Sequence, residues 1–193
     1  MDQRRWIMGE AQSFRFMTAD EYLKWEPAQT EKYEFIHGEL FLMGGASRRH
    51  VTVAGNLFVE LDRSLENTPC RAYMADMKLQ VQEQSIYFYP DVMVTCDPQD
   101  HRADHYLCSP LLIIEVLSES TAAFDRGQKA AIYRGLSSLK EFVLLDPERR
   151  QIELYRRTQE NTWELRDIPA GHALHFSSLD ITIPWIRIFR NVD

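Results

Sequence analysis

The apolar run LLIIEVLS at residues 111–118 is the feature that most constrains how this chain can fold. A run this apolar is typical of a central β-strand that is covered on both faces. Its one charged side chain, Glu115, needs a partner inside the fold, because an unpaired buried carboxylate strongly destabilises a protein. The run therefore predicts a central strand that carries one carboxylate with a partner.

The segments after this run predict a helix and several more strands. TAAFDRGQKAAIYRGLSS (121–138) has helical spacing, with Ala131, Ile132 and Leu136 facing inward. EFVLLDP (141–147) is apolar again and predicts the next strand. Beyond it, IELYRR, TWELRDI and ITIPWIRIF predict further strands at short spacing.

Two helices are predicted before the apolar run. Thr18 and Glu21 have the spacing of a capping box, which begins a short helix that ends at Pro27. From Ser47 to about Glu66, apolar positions recur at helical spacing and predict a long helix packed on the sheet. The inward stripe of that helix consists of His50, Ala54, Leu57, Leu61 and Leu65.

Two hairpins are also predicted in this part of the chain. KYEFIHGELFLMGG (32–45) has β-branched and aromatic residues around a His-Gly turn. AYMADMKLQVQ (72–82) and SIYFYPDVMVTC (85–96) predict a second hairpin that turns at Glu83 and Gln84. We expect all these elements to form one α/β domain over residues 1–193, with residues 1–15 as a flexible extension.

Composition limits the classes of partner. The chain of 193 residues has 22 basic and 29 acidic side chains, a net charge of −7. This charge argues against non-specific binding of a polyanion over the whole surface, so contact with nucleic acid would be local and helped by a metal. No apolar stretch reaches the roughly 18 residues of a membrane span, and no signal-peptide pattern is visible, so we expect a cytoplasmic protein without a membrane partner.

The cysteines predict neither a disulfide framework nor a thiolate zinc site. Cys70, Cys96 and Cys108 are odd in number and form no CxxC pair. We therefore expect free thiols.

Asp91 provides a second carboxylate in a strand context. It follows Pro90 in YFYPDVMV and lies 24 positions before Glu115. If the two strands are neighbours, the carboxylates can face one another, and a shared Mg²⁺ or Mn²⁺ would satisfy both. The alternative is that Asp91 begins a turn and Glu115 pairs with a buried Arg or Lys.

The segments YPDV, LLIIEVLS, DRGQK, IYRGL and KEFVLLDP, in this order, resemble the PD-(D/E)XK nuclease superfamily, and more closely its Uma2 branch of restriction-endonuclease-like proteins. The resemblance runs from about Thr18 to Arg157. It implies an α/β restriction-endonuclease-like core, with a mixed central sheet flanked by helices, plus additional β-hairpins. It also implies a Mg²⁺- or Mn²⁺-dependent endonuclease acting on DNA, with the metal held by Asp91, Glu115 and the main-chain carbonyl of Val116.

The resemblance assigns supporting roles to further residues. Glu34 in the first hairpin and His50 at the start of the long helix match the family pattern. The usual lysine two residues after the acidic residue is replaced by Leu117, and related branches carry that lysine on the following helix, where Lys129 stands with Asp125.

Several alternatives stay open at this point. Lys78 is a second candidate for the functional lysine, and Asp125 with Lys129 could instead be an ordinary surface ion pair at i,i+4 spacing. The rival function is a catalytically inactive nuclease-fold module that binds nucleic acid or a protein. Oligomeric state is also open, with a homodimer as one alternative.

Overall fold

Three β-sheets and two longer helical segments make up the fold in the computed structural model, which describes residues 16–82 and 85–193. From edge to edge, the central sheet contains β11 (Trp163–Ile168), β10 (Gln151–Arg157), β9 (Glu141–Asp146), β8 (Pro110–Val116), β6 (Val92–Thr95) and β3 (Arg71–Met74). The second sheet contains β2 (Glu39–Leu42), β1 (Tyr33–Ile36), β5 (Ile86–Phe88), β4 (Lys78–Val81) and β7 (Tyr106–Leu107). The third is a hairpin of β12 (Leu174–Phe176) and β13 (Ile181–Ile183).

The apolar run forms the strand that the sequence predicts. β8 lies between β9, to which it is parallel, and β6, to which it is antiparallel. Ile114 and Val116 face one apolar cluster, while Ile113 and Leu117 face another. Both faces of the strand are therefore covered. Mixed sheets with flanking helices and extra hairpins confirm the predicted fold class.

The two longer helical segments pack on opposite faces of the central sheet, and a short first helix packs against the second sheet. α1 (Ala19–Trp25) begins with the predicted capping box of Thr18 and Glu21. α2 (Arg48–Leu65) follows Ser47, whose side chain caps the helix, and buries Val53, Leu57 and Leu61 against the sheet. The other face is covered by a composite helix over residues 122–134, made of α3 (Ala122–Phe124), a π-helical turn (Asp125–Lys129) and α4 (Ala130–Arg134). Among the described residues, no helix has both the length and the apolarity to cross a membrane.

The predicted inward face of the composite helix is confirmed at two of its three residues. Ile132 and Leu136 are partly buried and pack against the core. Ala131 was predicted to face inward but is exposed, whereas Ala130 and Tyr133 are buried.

The second predicted hairpin is bent so that its two ends belong to different sheets. β3 pairs with β6 in the central sheet, and β4 pairs with β5 in the second sheet. Neither run is one continuous strand, since the chain leaves the ladder at residues 75–77 and 89–91. Pro90 lacks a donor for the ladder, and Ala75 has a positive φ of 52°. The predicted turn at Glu83 and Gln84 lies outside the described residues, as does the predicted extension at residues 1–15.

At the C-terminal end, ITIPWIRIF is only partly a strand. β13 ends at Ile183, and after Pro184 the chain forms α5 (Trp185–Ile188). Proline fixes a backbone angle that suits a helix start, which the strand prediction neglected. β12 was not predicted at all.

The prediction of free thiols is wrong for two of the three cysteines. Cys70 and Cys96 form a disulfide, while Cys108 is free and exposed. Arg71 and Thr95 are paired in antiparallel strands. Cys70, just before Arg71, therefore lies opposite Cys96, just after Thr95. Local spacing could not reveal this pair, because its members are 26 residues apart.

This disulfide predicts a specific thiol count. Titration of the denatured, unreduced protein with a thiol reagent should find one thiol per chain, and titration after reduction should find three. The Cys108→Ser variant is the control, and its unreduced form should have none. Three thiols without reduction would show that Cys70 and Cys96 are not joined, as is usual for cytosolic proteins.

Candidate active site

A cleft opens where the first hairpin, the start of α2, the end of β8 and the composite helix meet. Four carboxylates line it, together with one lysine and one histidine, and these six side chains include every site residue predicted with a side-chain role: Glu34, His50, Asp91, Glu115, Asp125 and Lys129. Val116, which was predicted to act through its carbonyl, also lines the cleft. The fold thus brings the whole predicted set to one place.

Asp91 and Glu115 approach each other at the junction between the two sheets. The Asp91 N–H donates to Glu115 Oε2 at 3.4 Å, and the Val116 N–H donates to Asp91 Oδ2 at 2.7 Å. In a strand, the N–H and C=O of one residue point to the same side, so the Val116 carbonyl also faces the Asp91 edge. The two carboxylates and this carbonyl therefore share one region of the cleft.

Lys129 is buried among carboxylates. Its Nζ lies 2.8 Å from Glu34 Oε1, 3.2 Å from Glu115 Oε1 and 3.8 Å from Asp125 Oδ1. The interpretation of Asp125 and Lys129 as a surface ion pair is therefore wrong, since both side chains are buried. Glu115 does pair with a buried lysine, but that lysine belongs to the same cleft.

Lys78, the second candidate lysine, lies in a different cluster. Its Nζ is 2.9 Å from Glu26 Oε2 and sits over the ring of Tyr89. Tyr89 also donates its hydroxyl to Glu26 Oε1 at 2.6 Å. Lys78 does not line the cleft, and its charge is already matched by Glu26.

The cleft has an excess of negative charge. Burial raises the pKa of Glu115 to about 8, although Lys129 opposes this shift, and the nearby Asp91 and Asp125 add to it. Burial also raises the pKa of Asp125, again against the effect of Lys129. For Lys129, burial favours the neutral amine, but Glu115, Glu34 and Asp125 hold its pKa well above the usual value. One ammonium thus faces more carboxylates than it can neutralise.

His50 contacts the Asp91 carboxylate from the α2 side. Its Nε2 lies 3.2 Å from Asp91 Oδ2. Burial disfavours the charged ring, but the hydrogen bond to Asp91, with the charges of Asp91 and Glu115, raises the pKa of His50. Its other ring nitrogen, Nδ1, is buried and has no hydrogen-bond partner among the described residues. His50 can therefore orient Asp91 and exchange a proton beside it.

Two residues that the sequence analysis did not select complete the arrangement. Tyr133 is fully buried and donates its hydroxyl to Glu115 Oε1 at 2.6 Å. The Tyr89 N–H donates to Glu34 Oε1 at 3.1 Å. Tyr133 stands four residues after Lys129, so helical spacing could have placed both on one face. Nothing in the local sequence indicates that the Tyr89 N–H donates to Glu34.

The residues present fit a magnesium-type ion. Within residues 16–82 and 85–193, no group of three or more His, Cys, Asp and Glu side chains is arranged to hold a metal. Asp91 and Glu115 instead provide two carboxylates, and Val116 provides a carbonyl oxygen. Mg²⁺ and Mn²⁺ accept one or two protein carboxylates, with water and phosphate oxygens completing the shell. The excess negative charge also favours a cation here.

Comparison with known proteins identifies the family of this chain. The family model Uma2, described as "Putative restriction endonuclease", matches residues 19–184. Two proteins of Synechocystis sp. are similar: "Uncharacterized protein slr1290" is 32% identical over 93% of this chain and 94% of its own length. "Uncharacterized protein sll1609" is 35% identical over 86% of this chain and 96% of its own length.

A solved structure shares the fold. It is described as a "putative nuclease belonging to DUF820" from Anabaena variabilis, with a TM-score of 0.74 and 18% sequence identity. The match covers 92% of this chain and 99% of that one. At this identity, the likeness concerns the fold alone.

Burial of Lys129 predicts a large stability effect. Lys129→Met should lower the free energy of unfolding near pH 7 by about 3–5 kcal/mol, because it leaves buried carboxylates without their cation. A buried carboxyl with a raised pKa destabilises the fold only when it is ionised. The loss of stability caused by Lys129→Met should therefore shrink as the pH falls toward about 5. Urea unfolding at several pH values measures both effects.

The exposed residue Lys24 provides the control for that experiment. Lys24→Met should change the free energy of unfolding by no more than about 0.5 kcal/mol at any pH. A Lys129→Met protein as stable as the Lys24→Met protein at pH 7 would contradict the buried cluster.

Proposed function

The chain belongs to the Uma2 family, and from this premise we propose that it is a metal-dependent endonuclease that hydrolyses phosphodiester bonds in DNA. The observation that carries the proposal is the approach of Asp91 and Glu115 in a cleft that also holds a buried lysine. Family membership and the fold support nuclease-like chemistry in general. The metal, the substrate and the residue roles are part of the proposal.

Asp91 and Glu115, with the Val116 carbonyl, would hold Mg²⁺ or Mn²⁺. When bound, such an ion polarises the phosphodiester and neutralises charge on the leaving oxygen. Tyr133 and Lys129 both contact Glu115 Oε1, so Oε2 is left to face Asp91. The buried tyrosine therefore orients the carboxylate by occupying one of its two oxygens.

Lys129 would donate to the negative charge that develops as a water molecule attacks the phosphorus and the bond to the leaving oxygen breaks. Its ammonium is fixed by Glu34, Glu115 and Asp125, so little reorganisation is needed when the reaction begins. His50 would position Asp91 through Nε2. Glu34 and Asp125 act through Lys129 and are positioning residues.

The wider setting is also a proposal. We place the protein in the cytoplasm, where it would have access to DNA, and treat the chain as one domain, in keeping with a family match over residues 19–184. The disulfide of Cys70 and Cys96 is unusual for a protein of a reducing compartment. The thiol titration tests whether this disulfide is formed.

The proposal is tested by cleavage of circular and linear DNA with Mg²⁺, with Mn²⁺ and with chelator. We expect cleavage that requires the metal and that falls by about 100-fold or more in Asp91→Asn, because charge stabilisation at the reacting phosphate is lost. Asp167→Asn is the matched control, because Asp167 is an exposed aspartate on β11. This control should cleave like the wild type.

Metal binding is measured separately through thermal stability. Mg²⁺ or Mn²⁺ should raise the melting temperature of the wild type more than that of Glu115→Gln, because a ligand that prefers the native state stabilises it. Equal shifts in the two proteins would show that Glu115 is not a ligand. DNA binding without any metal-dependent cleavage would instead favour the catalytically inactive module.

A further inference from the structure

Part of the cleft is apolar, and the proposed chemistry does not use that part. Phe41, Leu42 and Met43 at the end of β2 line it, together with Phe124 from the composite helix. The rings of Phe41 and Phe124 are nearly parallel, with an interplanar angle of 20° and centroids 6.4 Å apart. Leu42 is 37% exposed. We call these four side chains the apolar wall.

The apolar wall continues into a segment with little side-chain bulk. Gly44, Gly45 and Ala46 also line the cleft and are exposed. A Cβ placed on Gly45 would meet no atom within 4 Å, so the cleft is open at this point. A flat group entering from this side would pass the glycines and lie against the apolar wall beside the carboxylates.

The charges around the cleft do not suit a DNA duplex. Duplex binding relies on cations that neutralise several phosphates. Here the lining has four carboxylates against Lys129 and His50, and Lys129 is already bound by three of the carboxylates.

The arginines near the cleft are engaged within the protein. Arg48 and Arg49, at the start of α2, both donate to the carbonyl of Asp193, and Arg49 also pairs with Glu148. Arg126, in the composite helix, pairs with Glu153 at 2.7 Å. A polyanion therefore gains little from these side chains unless their present partners are displaced. Affinity has to come from the metal and from contacts to uncharged parts of the substrate.

From these observations we infer that the cleft takes single-stranded nucleic acid, or a single-stranded end or flap, with an unstacked base lying on the apolar wall. Aromatic and apolar side chains bind bases through their flat faces, and every base has such a face. In an intact duplex these faces are covered by neighbouring base pairs, so the wall cannot reach them. The inference rests on the proposed function, because the metal site is what places a phosphate next to the wall.

The test measures binding apart from cleavage. Fluorescence anisotropy is recorded with a labelled strand of about 15 nucleotides, its blunt duplex and the same strand with abasic positions, with Ca²⁺ as an oxygen-liganded cation in place of Mg²⁺. The intact single strand should bind about tenfold more tightly than the duplex or the abasic strand. The inference is overturned if the duplex or the abasic strand binds as tightly as the intact single strand or more tightly, or if no probe binds.

Two variants locate the effect on the apolar wall. Leu42→Ser should weaken single-strand binding by about threefold to tenfold and leave duplex binding unchanged. Phe41→Ala should weaken it at least as much, with circular dichroism confirming that the variant is folded. Leu165→Ser is the control, since Leu165 is 53% exposed on β11 and does not line the cleft. An effect of Leu165→Ser equal to that of Leu42→Ser would overturn the assignment.

Cleavage separates this inference from the proposed function. With Mg²⁺ or Mn²⁺, single strands and flaps should be cut at least tenfold faster than blunt duplex. Faster cutting of blunt duplex would overturn the substrate inference and leave the nuclease proposal intact. If single strands bind in a base-dependent way but are never cut, the nuclease proposal is rejected, while binding of single strands on the apolar wall is supported.

Discussion

The burial of a single ammonium among carboxylates is the interaction on which the rest of the site depends. Lys129 contacts Glu34, Glu115 and Asp125, which come from the first hairpin, the central strand and the composite helix. Each buried carboxylate would be costly alone, and together they repel one another. Lys129 makes their burial tolerable and holds three elements together. The same contacts leave a surplus of negative charge, which a divalent cation would compensate.

The bend between the two sheets is the second structural requirement. Where the chain passes from β5 to β6, Tyr89 and Pro90 leave the ladder, and Asp91 turns its carboxylate toward Val116. The Tyr89 N–H, freed from strand pairing, donates to Glu34. An uninterrupted hairpin would have used these backbone groups within one sheet. The interruption therefore creates the site, because it releases polar groups at the point where the carboxylates meet.

Much of this arrangement was predictable from the sequence. A lone charge in LLIIEVLS and a carboxylate after Pro90 stand out because burial of either requires a partner. The capping box at Thr18 and the apolar stripe of α2 follow from local spacing, and the structure confirms both elements. The Uma2 resemblance, carried by the order of the motifs, added Glu34, His50 and Lys129, and the structure brings all three to the cleft.

The parts that were not predictable depend on non-local geometry. The disulfide of Cys70 with Cys96 follows from strand pairing and not from spacing. The π-helical turn over Asp125–Lys129 has no signature in the periodicity of the sequence. The sequence left the burial of Lys129 open, because its spacing from Asp125 is also that of an exposed ion pair. The contact of Tyr133 with Glu115 depends on how the composite helix packs on the central strand, which the sequence does not show.

Whether Asp91 and Glu115 share one divalent cation can be seen by anomalous diffraction from crystals soaked in MnCl₂. We expect one anomalous peak in the cleft, between the Asp91 carboxylate and Glu115 Oε2 and beside the Val116 carbonyl. Crystals of Asp91→Asn soaked in the same way should lack this peak. A wild-type cleft without a peak at millimolar Mn²⁺, or a peak that persists unchanged in Asp91→Asn, would contradict the account.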